Sequence, residues 1–63
     1  MYKVFVTIPF GIDDTYYCEY TGVVHNNINS AYKEALRAKN DDTINVVIEH
    51  YFDGIEIDKI YVK

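Results

Sequence analysis

NINSAYKEALRAKN, from Asn27 to Asn40, is the one stretch of this chain that reads as a helix, and its reading decides the fold. Ile28, Ala31, Tyr32, Ala35 and Leu36 recur at the i, i+3, i+4, i+7, i+8 spacing of one helical face. Lys33, Glu34, Arg37 and Lys39 fall on or near the other face, so the helix has one side to bury. Asn27 is placed to cap the start by accepting a free backbone N–H, with Asn29 and Ser30 as rival caps. Arg37 and Lys39 stand in the last turn, where the negative end of the helix dipole favours cations. Asn40 is the expected left-handed residue after the helix, and Asp41 and Asp42 follow in a turn. A helix of about twelve residues is marginal alone in water, so it needs a sheet to lie on.

The flanking sequence supplies one. Tyr2, Val4, Val6 and Ile8 alternate with Lys3, Phe5 and Thr7, the period-2 pattern of a half-buried strand. Pro9 ends that strand or marks an edge, and Phe10 to Asp14 is a loop around Gly11. Thr15 to Val24 reads as the second strand, with Tyr16, Cys18 and Tyr20 inward and Tyr17, Glu19 and Thr21 outward. Gly22 is a candidate bulge that would turn Val23 or Val24 inward. Thr43 to Tyr51 is the third strand, placing Ile44, Val46, Ile48 and His50 on one face and Asn45, Val47, Glu49 and Tyr51 on the other.

Asp53-Gly54 is a two-residue hairpin signal, because a type I′ turn needs positive φ at both positions. It sets Phe52 opposite Ile55, His50 opposite Ile57 and Ile48 opposite Lys59, and so predicts Phe52, Ile48, Ile55 and Ile57 on one core face. The fourth strand is Ile55 to Val62, and its pattern shifts at Asp58-Lys59. Either a bulge resets the phase there, or Ile60 and Val62 lie on the second face.

The expected fold is therefore α+β: a two-layer ββαββ domain with one four-stranded antiparallel sheet and the helix across one face. The strand order is 2-1-3-4, with the two most apolar strands central, and 1-2-4-3 is the alternative; the helix crossing one face gives the right-handed connection that strand–helix–strand units prefer.

Sixty-three residues make one domain, and a chain of this size buries only about 60% of its unfolded surface. Cys18 is the only cysteine, so no disulfide closes within the chain, and a reducing, cytoplasmic setting is expected. No signal peptide or apolar run long enough to span a membrane is visible. Ten acidic residues against six basic ones give a net charge of −4, which disfavours a phosphate backbone and suits a basic partner. Seven tyrosines exceed what a small core needs, and tyrosine is enriched at interfaces.

Three features carry functional expectations. Strand directions bring Asp13, Asp14, Asp41 and Asp42 to one end of the sheet, where four carboxylates suit a basic protein partner. Their spacing is not that of a calcium loop, so no metal and no cofactor is expected. The sheet face away from the helix should show Phe5, Tyr17, Val47 and Tyr51, an apolar patch suited to protein contact or homodimerisation. Its acidic neighbours argue against a nucleic-acid platform. Cys18, His25 and His50 form no recognisable catalytic constellation, and no glycine-rich phosphate loop, H-E-x-x-H or paired-cysteine motif is present. The expectation is a non-enzymatic protein-binding module of the size and charge of a phage or mobile-element inhibitor that occupies a basic groove. The alternative is a structural homodimer built through the open face or a strand edge.

Overall fold

The alternating valines of the first strand meet those of the third at the centre of the sheet. A computed structural model describes the chain from Met1 to Lys63. Its elements are β1 (Tyr2–Phe10), β2 (Asp14–Glu19), α1 (Ile28–Lys39), β3 (Asn45–Phe52) and β4 (Ile55–Tyr61). The strands form one antiparallel sheet in the expected order β2-β1-β3-β4. Register sets Val4 opposite Ile48 and Val6 opposite Val46. These four side chains are buried together, and the helix lies across them, over β1 and β3. Burying each stabilises the fold by about 1.5–3 kcal/mol. No helix is long and apolar enough to cross a membrane.

The helix face is shifted from the one expected: Ile28, Ala31 and Ala35 meet the core as expected, joined by Ala38 in place of Tyr32 and Leu36. Ala31, Ala35 and Ala38 press on the sheet with Glu34, whereas Tyr32 and Leu36 are exposed. Three methyl groups let the helix approach closely, and the larger side chains do not fit that gap and turn to the flank. Glu34, expected on the wet face, is 1% exposed. His25 Nε2 lies 2.5 Å from its Oε1, and the Thr21 hydroxyl donates to its Oε2 at 2.9 Å. The buried carboxylate is therefore fully partnered from the segment that joins β2 to α1.

Asn27 caps the helix as expected, its Oδ1 accepting the Ser30 N–H at 2.9 Å. Asn40 does not take the left-handed conformation; its φ is −87°. Hydrogen bonds close this end instead. The Asp41 N–H and the buried Thr43 hydroxyl both donate to the Ala38 carbonyl, at 3.1 and 2.8 Å.

β2 is shorter than its pattern. After Glu19 the chain turns at Gly22 (φ +82°) and rejoins the sheet where His25 exchanges backbone hydrogen bonds with Tyr2, both 2.8 Å. Val23 and Val24 stay exposed on this detour and do not turn inward. Ile44, expected in the core, is also exposed, because β3 begins only at Asn45.

The β3–β4 turn has the predicted chemistry, with φ +54° at Asp53 and +78° at Gly54, and Phe52 faces Ile55. Beyond that the register departs from expectation. Glu56 faces Tyr51 and Asp58 faces His50, so Ile57 is left unopposed as a bulge. Ile48 therefore faces Ile60, not Lys59. The bulge returns Ile60 and Val62 to the core side, where both are half-buried. Phe52, Ile55 and Ile57 are exposed, not core. The helix starts level with Tyr2 and His50, whose rings stack at 4.2 Å, and does not reach the hairpin tip.

Candidate protein-interaction surfaces

Pairing between β1 and β3 stops at Thr7 and Asn45, yet β1 and β2 stay paired through Ile8–Tyr16, Pro9–Thr15 and Phe10–Asp14. The result is a two-stranded arm that extends past the sheet. Pro9 is tolerated here because no third strand asks for its missing N–H. Phe10 and Tyr16 are exposed on the arm with ring centroids 6.0 Å apart. Ile12 stands at the apex, 98% exposed, between Gly11 (φ +73°) and Asp13-Asp14.

The loop carrying Asp41 and Asp42 lies at the same end of the sheet, since Ile44 N–H bonds the Thr7 carbonyl at 2.7 Å. Asp13 and Asp42 are exposed. Asp14 accepts the N–H of Thr15 at 2.8 Å. Asp41 accepts the Tyr20 hydroxyl at 3.0 Å and the Asp42 N–H at 3.2 Å. The bond to Asp41 holds the Tyr20 phenol above its ordinary range. Two of the four carboxylates thus also shape their own turns. No group of three or more His, Cys, Asp or Glu side chains is arranged to hold a metal ion.

The β3–β4 hairpin closes the other end, its tip from Phe52 to Ile55 extending past the Tyr51–Met1 backbone hydrogen bond (2.7 Å). It exposes Phe52 (72%), Ile55 (66%) and Ile57 (56%) among Asp53, Glu56 and Asp58. The molecule measures 37 × 22 × 17 Å, so it is long for its mass, with one arm at each end of the strands.

The open sheet face carries Phe5, Tyr17, Val47 and Tyr51; Val47 is buried, Phe5 and Tyr51 are half-buried, and Tyr17 is exposed, as is Tyr61 beside Val47. Phe5 and Tyr17 stack at 5.2 Å. Val47 is buried between its cross-strand neighbours Phe5 and Tyr61, although no second layer lies above it. Glu49, on the same face, is 5% exposed. The Tyr17 hydroxyl donates to its Oε2 at 2.5 Å, and the Tyr51 hydroxyl donates to its Oε1. Lys3 and Lys59 flank Glu49 in register on the neighbouring strands. Lys3 Nζ lies 6.0 Å from the Tyr51 ring centroid and Lys59 Nζ 6.0 Å from that of Tyr17. Burial, then the Glu49 hydrogen bond, pushes the Tyr17 phenol far above its ordinary range. The Glu49 hydrogen bond, then burial, pushes Tyr51 up to about 12. In both cases a phenolate would have to face the Glu49 carboxylate.

Cys18 is half-buried against the core, His25 is held by Glu34, and His50 stacks on Tyr2. A cleft of about 330 Å³ lies between Met1, Lys3, Val24, Tyr51 and Gly54. Its two titratable side chains, Lys3 and Tyr51, are engaged with Glu19 and Glu49. The partners of Glu34 and Glu49 leave no mark in the sequence, where a Glu beside apolar residues reads as wet by default. No family model, curated protein or solved structure matches the chain.

Proposed function

We propose that this chain is a small acidic, non-enzymatic module that binds a basic surface of another protein. The docking end carries Asp13, Asp14, Asp41 and Asp42. The partner we infer is a nucleic-acid-handling protein, whose phosphate-binding groove has the complementary sign, in the manner of a phage or mobile-element inhibitor.

The observation that carries this reading is Ile12. A branched apolar side chain almost wholly in solvent, at the apex of a projecting arm and next to two aspartates, contributes nothing to the buried core. With Phe10 and Tyr16 it supplies an apolar anchor inside an acidic rim, the anatomy of an interface centre. A homodimer through the open face has less support, because Phe5 and Tyr17 stack on each other and the Tyr17 and Tyr51 hydroxyls are spent on Glu49.

The test is a photo-crosslinking residue at position 12, with position 33 on the helix as control, followed by identification of the captured protein. The expected adduct is one basic protein, captured from position 12 only, and lost in Asp13→Lys/Asp14→Lys and at high salt. Equal capture from position 33, or capture indifferent to salt and to the two reversals, would refute the reading.

A further inference from the structure

The β3–β4 arm repeats the chemistry of the β1–β2 arm at the opposite end of the molecule. Phe52 and Ile55 are cross-strand partners, so both side chains share the helix-bearing side of the sheet, beyond the start of the helix. The Ile57 bulge adds a third exposed apolar group beside them. Nothing in the chain covers these three residues. Asp53 at the turn and Asp58, opposite His50, flank them on this side; Glu56, opposite Tyr51, lies on the open face, 3.8 Å from Lys59 Nζ. Phe10 and Tyr16 stand on the same side beyond the other end of the helix, again among carboxylates.

Charge decides the occupant. An acidic arm repels the acidic arm of a second copy, so self-docking of arms is disfavoured. Between the two pads the helix presents Lys33 and Arg37 to solvent, and these repel a basic surface. One basic partner therefore cannot lie along the whole side. The arms also sit at opposite ends of a 37 Å axis, whereas a standard patch of about 800 Å² per partner is only about 30 Å across.

We propose that Tyr51–Asp58 is a second docking arm for a basic surface with an apolar recess, and that the chain bridges two such surfaces. The proposal rests on the reading that the chain recognises basic protein surfaces, but its arm is separate from the Ile12 end.

The experiment is a titration of the isotope-labelled chain with a short synthetic peptide in which arginine and leucine alternate, followed by amide chemical shifts. Two groups of amides are expected to move, one within 10–16 and one within 51–58, with two peptides bound at saturation. Asp53→Asn/Asp58→Lys, with Asn tolerating the positive φ at position 53, should weaken the second group about tenfold or more and leave the first unchanged. Phe52→Ser, with every charge intact, should do the same, and unmoved core amides report that both variants are folded. Shifts confined to 10–16 with one peptide bound would overturn the second arm and leave the Ile12 end standing. Shifts confined to 51–58 would support this arm and count against the Ile12 end. Shifts spread over all carboxylates, Glu19 included, and indifferent to Phe52→Ser would overturn both.

Discussion

Replacing Glu49 by Gln tests the belt on the open face with almost no change of shape. The carboxylate accepts the Tyr17 and Tyr51 hydroxyls at 5% exposure. Hydrogen bonds to a charged acceptor contribute about 1.5–3 kcal/mol each and neutral ones about 0.5–1.5 kcal/mol. Two bonds therefore lose about 2–3 kcal/mol between them, or about 1–2 kcal/mol once the partial solvation of the tyrosines is allowed for. A domain of this size is stable by about 3–9 kcal/mol, so urea denaturation followed by tyrosine fluorescence should resolve the loss.

The sharper readout is alkaline titration at 295 nm. In the folded protein Tyr51 is pushed up to about 12 and Tyr17 higher still; in the unfolded chain both return to about 10. The unfolded state then releases protons first. The contribution of these two phenols to stability is complete below about pH 10 and is lost as the pH rises toward 12 and beyond. With Gln at position 49, Tyr51 should ionise nearer the ordinary phenol range and alkaline destabilisation should flatten. An unchanged titration curve, with wild-type urea stability, would refute the account of Glu49.

His25→Ala leaves the Glu34 carboxylate buried with Thr21 as its one partner, and should cost about 3–5 kcal/mol in urea denaturation; a loss under about 1 kcal/mol would mean that the pair is solvated. Ala35→Leu should cost about 1–3 kcal/mol or more by overfilling the seam between helix and sheet, whereas Leu36→Ser should stay within about 0.5 kcal/mol; thermal melts of the two variants decide between the observed and the expected helix face.

The strand order, the element types and the Asp53-Gly54 turn were legible because each rests on a local signal of short range. Alternation marks β1 and β3, helical spacing marks α1, and positive φ marks the turn. What failed was phase. The sequence pattern at Asp58-Lys59 shows that something shifts, and the bulge lies at Ile57, one residue earlier. A bulge is chosen by where Ile60 must land, which is a tertiary condition. Similarly, the helical pattern allows two adjacent faces. The folded chain uses the alanine face, whose small side chains are buried in one cluster with Val6 and Val46. The acidic end was legible from strand directions alone. The apolar arms were not: Phe52 and Ile55 read as core until the limits of the helix are known, and Phe10 reads as part of a loop.

The placement of β1 between β2 and β3 has a consequence for biosynthesis. β1 gains its hairpin neighbour within a few residues, but its other neighbour lies about forty residues downstream. While the ribosome is still making the helix, a valine-lined ribbon stays open along one side with its backbone groups unmatched. Closure waits until β3 has been made, so the long-range zipper of β1 with β3, and not hairpin formation, should set the rate at which the nascent chain matures.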